Sequence, residues 1–128
     1  AHVIERESNK TALITITQTD PYDFGNVTVG ATSPFTFTLN NTGAVPATAM
    51  GGSGLGAPFT FLGGAFPGTG GSCVATLAAG ANCSVVVEFA PTAPGVSSDT
   101  MDINYNNSFN IDWNRIFYRK LLFFSWKI

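Results

Sequence analysis

Apolar and polar residues alternate with a period of two in five short segments of this chain, which sets one group of side chains on each face of an extended strand. In the first, Ala12, Ile14 and Ile16 alternate with Leu13, Thr15 and Thr17; in the second, Phe35, Phe37 and Leu39 alternate with Thr36, Thr38 and Asn40. Phe59, Thr60 and Phe61 make a shorter segment. A longer one opposes Cys83, Val85, Val87 and Phe89 to Ser84, Val86 and Glu88, and the fifth opposes Met101, Ile103 and Tyr105 to Asp102 and Asn104. The intervening Asn41-Thr42-Gly43, Gly51-Gly52-Ser53-Gly54, Gly63-Gly64, Gly68 to Gly71 and Ala93-Pro94-Gly95 read as turns. Glycine reaches positive φ there and proline fixes φ near its turn value. Nothing between residues 11 and 108 carries an apolar stripe at helical spacing, and β-branched and aromatic residues favour strands. The pattern predicts an all-β sandwich with Greek-key-like connections, because two amphipathic sheets bury each other's apolar faces.

Charge divides the chain. Its 128 residues carry a net charge of −2. Residues 11–108 contain no Lys or Arg and five carboxylates, Asp20, Asp23, Glu88, Asp99 and Asp102, for a local charge of −5. Residues 109–128 hold Arg115, Arg119, Lys120 and Lys127 against Asp112, for +3, together with seven of the sixteen aromatic residues. A stretch of 98 residues without a cation provides no face for a phosphate backbone, so nucleic acid is excluded as a partner of the body. The most apolar segment, Ile116 to Ile128, is broken by Arg119, Lys120 and Lys127 and falls short of the roughly 18 apolar residues of a membrane span.

The inventory for catalysis is thin. The one histidine, His2, lies near the terminus, and the body carboxylates are scattered, Asp99 and Asp102 being the nearest thing to a pair. Two Cys and one terminal His do not make a four-ligand zinc set. Asp20-Pro21-Tyr22-Asp23 lacks the ligand density of a calcium loop and reads as an Asp-Pro turn. The glycine clusters match neither GxGxxG nor a P-loop with its Lys. No enzyme activity, metal or cofactor is therefore expected. Cys73 and Cys83 are the only cysteines, and their even number predicts one disulfide, which places the chain in an oxidising compartment: extracellular, cell-surface or periplasmic.

The run Asp23-Phe24-Gly25-Asn26-Val27-Thr28-Val29-Gly30 is followed by Phe35 to Leu39, Asn41-Thr42-Gly43, Cys73, Leu77, Gly80, Cys83, Val85, Val87 and Phe89-Ala90-Pro91-Thr92 with Gly95. From about Ile14 to Tyr105 this combination resembles the choice-of-anchor D family of bacterial surface and secreted domains, related to the ASPM-SPD-2-Hydin and major sperm protein-like sandwiches. The resemblance implies an immunoglobulin-like β-sandwich of about seven strands, in a structural or adhesive protein without catalytic residues. It also marks a departure. Where such domains close with a strand of small and polar residues, this chain has the basic, aromatic stretch from Phe109 to Ile128.

The expected organisation is an N-terminal arm over residues 1–10, the sandwich over 11–108 and a C-terminal strand or tail over 109–128. As a strand, the tail sets Ile116, Tyr118, Lys120, Leu122, Phe124, Trp126 and Ile128 on one face; as a helix, it groups Trp113, Phe117, Leu121 and Phe124. The strand is preferred because the last strand of the resembled fold belongs here. Trp113, Phe117, Leu122, Phe124 and Trp126 are the candidate interaction residues. The expected function is a non-enzymatic structural or adhesive module acting on other protein chains. Its first alternative is a fibre subunit that exchanges a terminal strand with copies of itself. A glycan-binding module that uses Phe59, Phe61 and Phe66 is the other.

Overall fold

The computed structural model describes residues 11–19 and 21–106 and the backbone of 115–125. Seven strands form: β1 (Ile14–Ile16), β2 (Ser33–Asn41), β3 (Thr48–Ser53), β4 (Phe59–Phe61), β5 (Asn82–Phe89), β6 (Val96–Asn106) and β7 (Arg115–Ser125). One sheet has the order β1-β2-β5-β4 and the other β3-β6-β7. Every pairing is antiparallel. The topology is that of a seven-stranded immunoglobulin sandwich, so the predicted fold class holds.

The period-two pattern selects the buried face. Ile14, Phe37, Leu39, Val85, Val87, Phe89, Met101 and Ile103 are fully buried between the sheets, with Phe59 and Tyr105 beside them. Phe59 stacks on Phe89 with ring centroids 4.8 Å apart. At the same end Tyr22 stacks on Phe35 at 4.1 Å and meets Phe24 and Phe37 edge-on. Side chains of this size account for most of the apolar area removed from water, at roughly 25 cal/mol per Å².

Two expectations need correction. Gly51-Gly52-Ser53 is not a turn but the second half of β3, paired with Asn104, Ile103 and Asp102 of β6. A bulge between Thr48 and Gly51 leaves Ala49 at φ 51° and hides the strand's period. Glycine is needed at 52 for close approach: a Cβ there would lie 2.5 Å from the ring of Phe66 and 2.8 Å from that of Phe61. Val86 shares its phase with the outward Ser84 and Glu88, yet it is buried. Its amide and carbonyl are engaged by Pro67 and Leu62, and the chain at Gly68 lies against its backbone.

Tyr105 links the two sheets. Its side chain is buried, and its hydroxyl accepts a hydrogen bond from the Ile14 amide of β1 at 3.2 Å. Tyr105→Phe removes that acceptor and strands one backbone N–H, so thermal unfolding is expected to report a loss of about 1 kcal/mol. An unchanged melting temperature would show that the bond contributes nothing.

Candidate interaction surface

A sandwich of two open sheets has four edges, and the chain covers those on one side itself. Beyond β4, the edge of β5 is taken up by the segment 62–73: Leu62 N–H donates to Val86 O at 3.0 Å, Val86 N–H to Pro67 O at 2.8 Å, and Ser72 and Cys73 N–H to Ser84 O at 3.0 and 3.1 Å. Ser72 and Ser84 also exchange side-chain bonds. The same segment then crosses to β3, where Met50 N–H donates to Ala75 O at 2.8 Å and Ala47 and Leu77 exchange two bonds of 2.9 Å. The predicted disulfide between Cys73 and Cys83 fastens this strip to β5, with Cα atoms 4.9 Å apart. Covered edges do not template pairing with other chains.

The opposite side is different. Among the described residues, short β1 ends one sheet there and β7 ends the other; because the strip 62–77 joins the β4–β5 end of the first sheet to β3 of the second, β1 and β7 fall at the opposite ends. β7 runs for eleven residues along β6, from Arg115 opposite Asn106 to Ser125 opposite Val96. Among the described residues no strand pairs with its outer edge. Directly opposed residues share a face, so Ile116, Tyr118 and Lys120 fall at the register of the buried Tyr105, Ile103 and Met101, and Leu122 and Phe124 continue that series opposite Asp99 and Ser97. Arg115, Phe117, Arg119, Leu121, Phe123 and Ser125 fall on the outer face, with Arg119 opposite Asp102. β7 thus carries apolar residues on both faces and the only Lys or Arg residues of the described chain.

Of the predicted interaction residues, Phe117, Leu122 and Phe124 are thereby placed on this one strand, opposite Asn104, Asp99 and Ser97. Trp113, Trp126 and the arm 1–10 lie outside the described residues, as does Asp20 of the Asp-Pro turn. Asp99 and Asp102 both lie on β6. Asp99 accepts the Gly56 amide on Oδ2 at 2.7 Å and the Thr100 amide on Oδ1 at 2.8 Å, tying the loop before β4 to β6. The three phenylalanines of the glycan reading are also spoken for, Phe59 and Phe61 in the core and Phe66 edge-on to Phe61 at 5.7 Å. Burial, with the Asp23 carboxylate beside it, pushes the Tyr22 phenol above its ordinary value, so it stays neutral within the cluster of Phe24, Phe35 and Phe37. A shallow groove of about 360 Å³ is lined mainly by Leu55, Ala57, Pro58, Phe59 and Ala90. Among the described residues no cluster of His, Cys, Asp or Glu is arranged for a metal, and no helix is long and apolar enough to cross a membrane.

A family model described as HYDIN/CFA65/VesB-like, Ig-like domain matches residues 14–113. The chain belongs to this family. The family model bears out the motif resemblance to ASPM-SPD-2-Hydin domains, and the chain is similar in fold to PapD-like domain 7 of human CEP192, an ASH domain. That domain is 19% identical with a TM-score of 0.63, and the match covers 93% of this chain and 86% of that one. The VesB protease of Vibrio cholerae is likewise 19% identical, with a TM-score of 0.64 over 97% of this chain. The secreted serine protease VesC of the same organism is 16% identical with a TM-score of 0.56 over 96%. The chain spans only 34% of VesB and 24% of VesC, and identities this low establish the shared fold alone. No curated protein sequence matches the chain. HYDIN-like Ig domains are typically non-catalytic and mediate protein–protein contacts.

Proposed function

We propose that this domain is a non-enzymatic structural or adhesive module of a secreted or cell-surface bacterial protein, and that it binds other chains by accepting a strand on the outer edge of β7. The observation that carries the reading is the contrast between edges: one side of the sandwich is sealed by the strip 62–77, while among the described residues no strand lies beyond the eleven-residue β7. Strand addition draws affinity from main-chain hydrogen bonds and specificity from alternate side chains. With Arg115 and Arg119 on its outer face, β7 favours an incoming strand of alternating apolar and acidic residues. The disulfide supports an oxidising compartment, as does the secreted character of VesC. The division into arm, sandwich and C-terminal strand is part of the same reading.

A synthetic peptide of alternating Val and Glu, titrated calorimetrically into the full chain, tests it. Binding is expected that weakens with added salt and falls at least tenfold in Arg119→Glu, equivalent to about 1.4 kcal/mol. Equal binding by the two proteins, or none by either, would overturn the strand-accepting reading. A size that rises with concentration, and stops doing so without residues 109–128, would favour the fibre instead.

A further inference from the structure

We infer that Asn26 is an acceptor for N-linked glycosylation and takes its sugar chain from a polyisoprenyl-diphosphate donor. The inference rests on the oxidising compartment of the proposed function, where lipid-linked donors are used, and adds to it a covalent modification at a separate place in the fold.

Asn-x-Ser/Thr, with x other than Pro, is the acceptor sequence for this reaction. The described residues hold three complete copies: Asn26-Val27-Thr28, Asn40-Asn41-Thr42 and Asn82-Cys83-Ser84. A transferase has to grip the asparagine amide and the hydroxyl two residues later at the same time, so both must be exposed and the backbone between them must lie off the sheet. Two copies fail that condition. Asn40 and Asn82 stand directly opposite each other in the β2–β5 ladder. Asn40 Nδ2 donates to Thr17 Oγ1 at 2.7 Å, Asn41 is buried, and Thr42 Oγ1 donates to the Leu13 carbonyl at 3.3 Å. Asn82 is followed by Cys83, which is held in the disulfide, and Ser84 Oγ donates to Ser72 Oγ at 3.2 Å and accepts the Ser72 amide at 3.0 Å.

Asn26 meets the condition. It lies in the connection between β1 and β2, outside any strand. Asn26 and Thr28 are exposed while Val27 between them is buried in the core, so the amide and the hydroxyl reach solvent together. Among the described residues neither side chain is engaged in a hydrogen bond. The loop is fixed by other groups: the Gly25 amide donates to Asp23 Oδ1 at 2.7 Å just before the acceptor, and the Ala31 amide donates to the Thr28 carbonyl at 2.9 Å just after it. In the transfer, Asn26 Nδ2 forms a bond to the anomeric carbon of the donor sugar and gives up one proton to a base of the transferase. The bond from that carbon to the diphosphate oxygen breaks, and the lipid diphosphate leaves with the electron pair. The Thr28 hydroxyl is recognised and not consumed.

Site-resolved mass spectrometry of the chain isolated from its own source is expected to find the glycan on Asn26 and none on Asn40 or Asn82. The folded, unmodified chain, incubated with a purified sequon transferase and a lipid-linked oligosaccharide of known mass, should show the same selection. Asn26→Gln and Thr28→Ala should each lose the adduct at this site, and Thr28→Ser should keep it, which a mere disturbance of the loop would not predict. A bare Asn26 in the isolated protein, no transfer to it in the folded chain, or equal transfer to Asn40 and Asn82 would each overturn the inference. Strand binding at β7 is measured on the chain without glycan, so failure here is distinct from failure of the proposed function.

Discussion

Replacing Asn41 with Ala is expected to lower the unfolding free energy by about 3 kcal/mol, a large share of a small domain's stability. Asn41 is 1% exposed and is the one buried polar side chain among the described residues. Its amide is fully used. Oδ1 accepts from the Leu13 and Gly43 amides at 3.1 and 3.0 Å, and Nδ2 donates to the carbonyls of Val45 and Leu77 at 2.9 and 3.0 Å. One side chain therefore joins the entry to β1, the β2–β3 turn and the strip that seals β3. Truncation removes the acceptor of the Leu13 and Gly43 amides and the donor to the Val45 carbonyl, while the Leu77 carbonyl keeps the Ala47 amide; buried groups stripped of a partner cost more than the bonds themselves contribute. Asn41→Asp keeps the shape and both acceptors but loses both donors. It is expected to destabilise comparably at neutral pH and less in acid, where a protonated carboxyl regains one donor. Urea denaturation of both variants checks this; a loss in the alanine variant below about 1 kcal/mol would show that the network does not hold these segments together.

Asn41 also shows what alternation makes legible. It continues the inward series Phe35, Phe37, Leu39, so its inward direction was present in the sequence, yet Asn41-Thr42-Gly43 read as a turn because composition outweighed phase. Where residues alternate without competition, as in Val85, Val87 and Phe89 or Met101, Ile103 and Tyr105, phase alone located the core. β3 was not legible in that way. Met50 is its only large buried side chain, its period is broken at Ala49, and Gly52 serves the aromatic rings that approach it. Its identity as a strand comes from partners on β6 and on the 75–77 segment, which are far away in sequence. The same limit applies to the interaction surface. Residues 115–125 are apolar at both parities, so no periodicity chooses a face. Only the register against β6 sorts Lys120 from Arg119.

Substituting both Cys73 and Cys83 by Ala is expected to destabilise the domain by about 3 kcal/mol, and to lower the melting temperature by roughly 12 °C, from the chain entropy released when a ten-residue separation is no longer closed. Alanine is preferable to serine because both sulfurs are buried, Cys73 to 1% exposure, and a hydroxyl there would add a desolvation penalty. The loss is not spread evenly. Cys73 sits where the strip passes from the edge of β5 to that of β3, and its own amide bonds to Ser84. Without the bridge, the amides of Ser72, Cys73, Met50 and Leu77 should open before those of β2, and β3 and β5 should gain free edges. Aggregation would then rise under mild heating even where the fold persists. Differential scanning calorimetry with and without reductant measures the size of the effect, and amide exchange locates it. A shift below about 3 °C would show that the hydrogen bonds of the strip suffice without the covalent link. A large shift, together with thiols found fully oxidised in freshly isolated native protein, ties the sealed side of the sandwich to an oxidising compartment. In a reducing one the chain would offer partners two sides instead of one, and the specificity proposed for β7 would be lost.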